Sequence, residues 1–333
     1  MTDIAKYLPP ILRHDGVCFL NGDGALAVRD RRAYPFEDKW VLCRDFREAA
    51  DAIRAMVTQG GGPLEVSLQT LRLCARERDA SPELFRACAE TLSAARPTNA
   101  AAARELARLL PEIEKLFAAG TFSPEAVDRL ALRALDAFDA AYLKIGEKLE
   151  ARIADGDGIL TTCFAEHSFF VALSLARERG KRFRVFVPET RPYLQGARLT
   201  APSLRELGFD AVLVTDGMPA HFMAEGKITK YVTASDAALR DGTVVNKVGT
   251  LANAIACAHF GIPYYATSTG IDARRERRDV VVELRDPEEV KRVRGVPITR
   301  ADVPACYPCF DVVEPRLVTE IIAPEETLCP NMR

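Results

Sequence analysis

Beyond residue 157 the chain alternates strand-sized apolar runs with helix-length segments, and no other feature limits its fold as much. The runs are GILTT, FRVFVPE, AVLVTD, YVTAS and IPYYAT, and between them lie segments such as HSFFVALSLARERG and NKVGTLANAIACAHFG, each closing on a glycine. Short apolar runs bounded by polar turns read as strands, and a glycine just past an apolar-periodic segment supplies the left-handed residue that ends a helix. Strands that alternate with helices are joined by crossovers, so they pair in parallel and are covered on both faces. The expected class is α/β, a doubly wound and mostly parallel sheet.

The chain before that point reads differently. Through about residue 44 it consists of short strands and turns: VCFL, NGDG, ALAVRD and KWVLC. From Asp45 a helical pattern takes over in DFREAADAIRAM, with Phe46, Ala49, Ile53 and Met56 on one stripe and Asp45 as a capping carboxylate. It closes in Gly60, Gly61 and Gly62. Helices are expected at 65–79 and 82–94 and after RPT (Arg96, Pro97, Thr98), and a long one opens at Ser123-Pro124. A helix of about thirty residues is about 45 Å long, enough to pass from one domain into the next. The expected division is therefore 1–145, a smaller and mainly helical domain with a short antiparallel sheet, and 146–333, the wound sheet.

With 333 residues the chain exceeds what one core usually organises, which agrees with two domains. A formal net charge of −2 suggests neither a nucleic-acid nor a membrane partner. Apolar runs such as Phe169 to Leu175 fall far short of the roughly 20 residues that span a bilayer, and the first residues carry no secretory pattern. The expected location is cytoplasmic. Nine cysteines without a regular framework suit free thiols. Cys306 and Cys309 have metal-ligand spacing, but no second Cys or His pair stands at useful spacing, so they read as small apolar fillers near Phe310 and no metal is expected. His167 and His221 read as structural. No G-x-G-x-x-G follows a strand, which leaves nicotinamide binding without support.

In an open α/β sheet, ligands sit outside the carboxyl ends of the strands. The residues just past the expected strands are Cys163, Glu189 and Thr190, Asp216, Asp236, and Ser268 and Thr269. Asp236 ends a strand, and Asn246 with Lys247 is expected to open the following helix, where backbone N–H groups, the helix dipole and a full positive charge favour an anion. Phosphate is the expected anion.

Five blocks in this order carry a resemblance: RPYLQGARLTA (191–201), DGMPAHFM (216–223), DGTVVNKVGT (241–250), ELRDPEEV (283–290) and CFDVVEP (309–315). They resemble the family of S-methyl-5-thioribose-1-phosphate isomerase. That family also holds ribose-1,5-bisphosphate isomerase, 5-deoxyribose-1-phosphate isomerase and the alpha, beta and delta regulatory subunits of the translation initiation exchange factor. The DAIRAM…GGGP and RPT segments extend the resemblance over nearly the whole chain.

What the resemblance implies is a Rossmann-like C-terminal domain, a homodimer, and an aldose-to-ketose isomerisation of a pentose 1-phosphate in methionine salvage, without metal or organic cofactor. It implies Cys163 and Asp236 as the catalytic pair, and Arg96, Gln195, Asn246, Lys247 and the Gly60, Gly61, Gly62 loop as substrate-binding. Because the anomeric oxygen carries phosphate, the ring must open from the ring oxygen. A carboxylic acid can protonate that oxygen if an apolar pocket keeps it neutral, and Asp236, beside Ala234, Ala237 and Ala238, is expected to be desolvated in that way. Three departures border the implied site. The family usually has RGAP where this chain has QGGGP from Gln59. Phe164, Ala165 and Glu166 replace Asn, a small residue and Gly after the cysteine. Asp236 lies between Ser235 and Ala237 where Gly-Ala and Arg are usual. They bear on which sugar is accepted, with 5-deoxyribose 1-phosphate as the alternative substrate and a non-catalytic regulatory subunit as the alternative class.

Overall fold

The computed structural model describes residues 4–96, 100–165 and 167–332; Pro97 and Thr98 of the RPT segment, and Glu166, lie outside the described residues. The chain divides into two compact units, Met1–Ala141 and Tyr142–Arg333.

The first unit opens with a single helical turn, α1 (His14–Val17), and three short strands, β1 (Cys18–Leu20), β2 (Leu26–Arg29) and β3 (Trp40–Cys43), paired antiparallel in that order. Helices follow: α2 (Phe46–Arg54), α3 (Gly62–Cys74), α4 (Pro82–Ala95), α5 (Ala100–Ala118) and α6 (Pro124–Glu150), within which the division falls. Asp45 caps α2 by accepting from the backbone N–H groups of Arg47 and Glu48, which satisfies two of the donors a helix start leaves free. The stripe Phe46, Ala49 and Ile53 is buried. Burying an Ile or Phe side chain stabilises by about 1.5–3 kcal/mol, so packing outweighs the weak propensity of so short a helix.

The second unit runs β4 (Gly158–Leu160), α7 (His167–Glu178), β5 (Arg184–Pro188), α8 (Ala201–Glu206), β6 (Ala211–Val214), α9 (Pro219–Ala224), β7 (Lys230–Ala234), β8 (Ala237–Ala238), β9 (Val244–Lys247), α10 (Thr250–Phe260) and β10 (Tyr264–Thr267). It ends with β11 (Arg292–Val293), β12 (Val296–Pro297), β13 (Phe310–Val313), β14 (Glu320–Ile322) and β15 (Thr327–Leu328). Seven of these strands form one sheet in the order β15-β14-β10-β7-β4-β5-β6, parallel throughout except for β15 at its edge. The expected α/β class with a mostly parallel wound sheet is thus present. From β4 the chain builds outward through β5 to β6, then returns to β7 on the other side of β4 and continues through β10 to β14. The winding reverses between β4 and β7. At such a switch point two neighbouring crossovers leave in opposite directions and open a crevice.

One expected element is different. Asn246 and Lys247 do not open a helix; they close β9, which pairs antiparallel with β13 and β8 in a separate three-stranded sheet. Val244 and Val245 are β-branched, all four residues of the strand are buried, and Phe310 and Asp311 stand opposite Lys247 and Asn246. The helix waits until Thr250, after Gly249 reverses the backbone at φ 100°.

Candidate functional site

Cys163 lies three residues past β4 and Asp236 two past β7, so the switch point brings both to the carboxyl edge of adjacent strands. Cys163 has φ 68°, a left-handed conformation that costs a side-chain-bearing residue roughly 1–3 kcal/mol and persists only where surroundings enforce it. Two threonines do so. The Cys163 N–H donates to Thr190 Oγ1 (3.1 Å), and the Thr200 hydroxyl donates to the Cys163 carbonyl (2.6 Å) while accepting from Ala165 N–H (3.0 Å). Thr190 is fixed in turn by Asp216, whose two carboxylate oxygens accept from the Thr190 and Arg191 N–H groups at 2.7 Å each. The ends of β4, β5 and β6 are therefore tied together through Asp216, Thr190 and Cys163.

Burial pushes the Cys163 thiol up to about 12, with Lys247 pulling it down and Asp236 and Cys309 raising it further. It is a neutral thiol near pH 7, and the influence of Asp236 on it places that charge within electrostatic reach of the sulfur. Asp236 departs from expectation: it is exposed, not desolvated. Its backbone N–H donates to Val245 O (2.9 Å), which makes it the link between β7 and the small sheet. The neighbouring Ala234 and Ala237 are only half-buried and do not cover it.

Lys247 is 5% exposed. Its Nζ donates to Cys309 Sγ at 3.0 Å and lies 5.0 Å from the Phe310 ring centroid and 6.0 Å from that of Tyr307. Burial works against its charge, yet its pKa stands above the ordinary lysine value because Cys163, Tyr307 and Cys309 hold the proton in place. No carboxylate pairs with it among the described residues. A buried ammonium left with a thiol and aromatic faces keeps its full charge for an incoming anion. Asn246, also buried, donates from Nδ2 to Thr250 Oγ1 (3.0 Å), and that hydroxyl donates to the Lys247 carbonyl (2.7 Å). The start of α10, expected to receive phosphate, is already occupied: Asp311 Oδ2 accepts from Gly249 N–H (2.8 Å) and Leu251 N–H (2.9 Å). The helix end thus spends these two donors on Asp311 rather than on an outside anion.

Gln195 is 2% exposed and its Oε1 has no hydrogen-bond partner among the described residues, so it holds an acceptor that a sugar hydroxyl could satisfy. It directly precedes Gly196, where a Cβ would fall 1.8 Å from the Pro188 carbonyl oxygen; only glycine lets this turn close onto the end of β5. In the first unit, Gly60 has φ 60°, and a Cβ at Gly62 would lie 1.8 Å from Thr58 Oγ1. Arg31, which the sequence reading passed over, is buried and braces this loop by donating to the Gln59 carbonyl (2.6 Å) and the Ile11 carbonyl (3.0 Å). Arg96 is half-buried, with no partner for its Nη1 among the described residues. Gly60, Gly61, Gly62 and Arg96 belong to one unit, and Cys163, Gln195, Asp236, Asn246 and Lys247 to the other. Among the described residues no cluster of His, Cys, Asp and Glu could hold a metal, and no helix is long and apolar enough to cross a membrane.

Cys309, Thr190, Thr200, Asp216 and Asp311 also shape the site. Asp216 and Thr190 were marked by their place after strands. Cys309 and Asp311 give no signal until β13 is paired with β9.

The second unit is a wound sheet with a thiol and a carboxylate at its switch point and a buried ammonium within electrostatic reach of that thiol. The chain belongs to the Initiation factor 2 subunit family, whose model matches residues 66–325. It is similar to the methylthioribose-1-phosphate isomerase of Anaeromyxobacter sp. (strain K), 35% identical over 308 residues with 88% of this chain and 87% of that protein covered. It is also similar to the enzyme of that name from Thermosipho melanesiensis, 32% identical with 93% of each covered. Among solved structures it is similar to the 5-methylthioribose 1-phosphate isomerase of Pyrococcus horikoshii OT3, with a TM-score of 0.82, 26% identity, and 95% and 92% of the two chains covered. The delta subunit of translation initiation factor eIF-2B from A. fulgidus gives 0.79 and 30%, with 94% and 95% covered.

Proposed function

We propose that the protein is an aldose-ketose isomerase that converts 5-methylthioribose 1-phosphate to 5-methylthioribulose 1-phosphate in methionine salvage. The observation that carries the reading is the buried Lys247 ammonium, paired with no carboxylate among the described residues and within electrostatic reach of Cys163, and the likeness to isomerases of that name over about nine-tenths of the chain supports it. Lys247 takes the phosphate, Asn246 and Gln195 hold sugar hydroxyls, and the Gly60, Gly61, Gly62 loop and Arg96 add substrate contacts. The ring opens by cleavage of the bond between C1 and the ring oxygen, which takes up a proton. The C2 hydroxyl gives up its proton and the hydrogen on C2 moves to C1, so the atoms balance within the substrate. Asp236 protonates the ring oxygen, with the bound sugar supplying the desolvation that the free chain lacks. Cys163 remains a neutral thiol beside the reacting carbons.

The protein acts as a cytoplasmic homodimer in this reading, with neither nucleic acid nor cofactor. The test is incubation of the purified protein, chelator present, with 5-methylthioribose 1-phosphate and 5-deoxyribose 1-phosphate, followed by phosphorus NMR. Ketose product from the first, lost in Asp236→Asn and Cys163→Ala with folding intact, is the expected result. Preference for the deoxy sugar would move the assignment to that substrate. No turnover of either sugar would favour a regulatory subunit, a reading that the likeness to the eIF-2B delta subunit keeps in view.

A further inference from the structure

Among the described residues the Lys247 ammonium has one hydrogen-bond acceptor, Cys309 Sγ at 3.0 Å, and both side chains are almost wholly buried. The contact is built into the small sheet. The β9–β13 register places Phe310 opposite Lys247, and Val248 N–H donates to the Cys309 carbonyl at 3.1 Å, which fixes the backbone of Cys309 beside that of Lys247. Phe310 and Tyr307 offer ring faces on either side of Cys309 in sequence. An ammonium has three N–H donors; here sulfur takes one, and the other two have no acceptor among the described residues.

The chemistry of the acceptor matters more than its presence. A carboxylate at position 309 would form an ion pair and neutralise Lys247 before any substrate arrived. Cysteine sulfur is a weak, polarisable acceptor: at 3.0 Å it fixes the direction of the Lys247 side chain. We propose that Cys309 is a positioning residue for anion binding, orienting the Lys247 ammonium toward a phosphate without neutralising it. This rests on the reading of Lys247 as the phosphate ligand. Because the phosphate is not itself transformed, its grip is nearly the same in ground state and transition state, so a loss of orientation raises KM and leaves kcat almost unchanged.

The experiment compares the full-length protein with its Cys309→Ala and Cys309→Ser variants by two measurements, steady-state kinetics on 5-methylthioribose 1-phosphate and calorimetric binding of inorganic phosphate. Cys309→Ala is expected to raise KM about tenfold with kcat within a factor of two, and to weaken phosphate binding by a similar factor; about 1.4 kcal/mol corresponds to that tenfold. Cys309→Ser, which keeps an acceptor, is expected to recover most of both. A kcat that falls with KM unchanged, or phosphate binding unaltered by Cys309→Ala, overturns the proposal. Should the unmodified protein bind phosphate but isomerise nothing, the isomerase reading fails while the phosphate measurement still decides the role of Cys309. A variant that melts early yet binds phosphate normally marks Cys309 as packing only and also overturns it.

Discussion

Two cations, the half-buried His14 of the first unit and the buried Lys247 of the second, are treated in opposite ways. His14 is held between two carboxylates: Nδ1 lies 2.6 Å from Glu65 Oε2 and Nε2 lies 3.0 Å from Asp139 Oδ2. Burial alone would lower its pKa, but the hydrogen bonds and charges of Asp139 and Glu65 raise it from 6.5 to about 10. Lys247 has a thiol and two ring faces instead. The difference separates a charge used for folding from one kept for binding. A cation already matched by carboxylates has no field left for a ligand, while an unmatched one lowers stability by its desolvation until an anion arrives.

The comparison breaks most decisively if Lys247→Met leaves binding intact. The expected outcome is a drop in kcat/KM of about 100-fold or more, since a charge-assisted hydrogen bond to a buried anion contributes about 3 kcal/mol. Thermal or urea unfolding should show the ligand-free variant no less stable than the parent, because an uncompensated charge has been replaced by an apolar chain of similar length. Next in size, His14→Ala should lower unfolding free energy by about 2 kcal/mol, as it removes a charge-assisted hydrogen bond from the buried Glu65 carboxylate. Turnover per folded molecule should stay the same. A variant of His14 that loses activity but not stability would reverse the roles assigned to the two sites.

The His14 clamp also carries a pH signature. Its folded-state pKa lies above the unfolded one, so its stabilisation is complete below about 6.5 and is lost as pH rises through about 10. The physical cause is visible in the ring: the imidazolium donates from both nitrogens, whereas the neutral ring has one N–H and must give up one of its two carboxylate bonds. Urea unfolding at pH 6, 8 and 10 should show stability falling across this window in the parent and a flatter profile in His14→Ala. Equal slopes in the two proteins would remove the clamp as the cause.

Much of the second unit could be read from sequence because its signals are local. Alternating apolar runs and closing glycines identify β4, β5, β6, β7 and β10 and the helices between them. The strand order could not be read that way, since nothing local says that β7 returns to the far side of β4. The same limit explains Asn246 and Lys247. VVNK followed by VGT has no period long enough to separate a strand from a helix start, and what decides is pairing with β13, whose Phe310 faces Lys247 from 63 positions further along the chain. Asp311 at the start of α10 and Cys309 at the Lys247 ammonium come from the same strand, so both were illegible until it was placed. Asp236 shows the converse error: its alanine neighbours suggested a pocket, but alanine side chains are too short to cover a carboxylate, and Ala234 and Ala237 are themselves only half-buried.

The smallest expected effect is a change at Cys163 that reports the charge on Lys247 directly. Burial sets the high value of that thiol, about 12, and Lys247 is the larger of two influences that lower it, the other being a backbone hydrogen bond from Phe164. Replacing Lys247 with Met should therefore push the Cys163 thiol higher, so that at a fixed alkaline pH its thiolate fraction falls and alkylation by iodoacetamide slows by a few-fold. The exposed Cys306 is the internal standard, because its alkylation rate should not change; peptide mapping separates the two. Phosphate added to the parent should have the same sign of effect, since an anion bound at Lys247 offsets the charge that favours the thiolate. If Lys247→Met and added phosphate moved the Cys163 rate in opposite directions, phosphate would be binding somewhere other than at Lys247, and the contrast between a spent and an unspent cation would lose its second half.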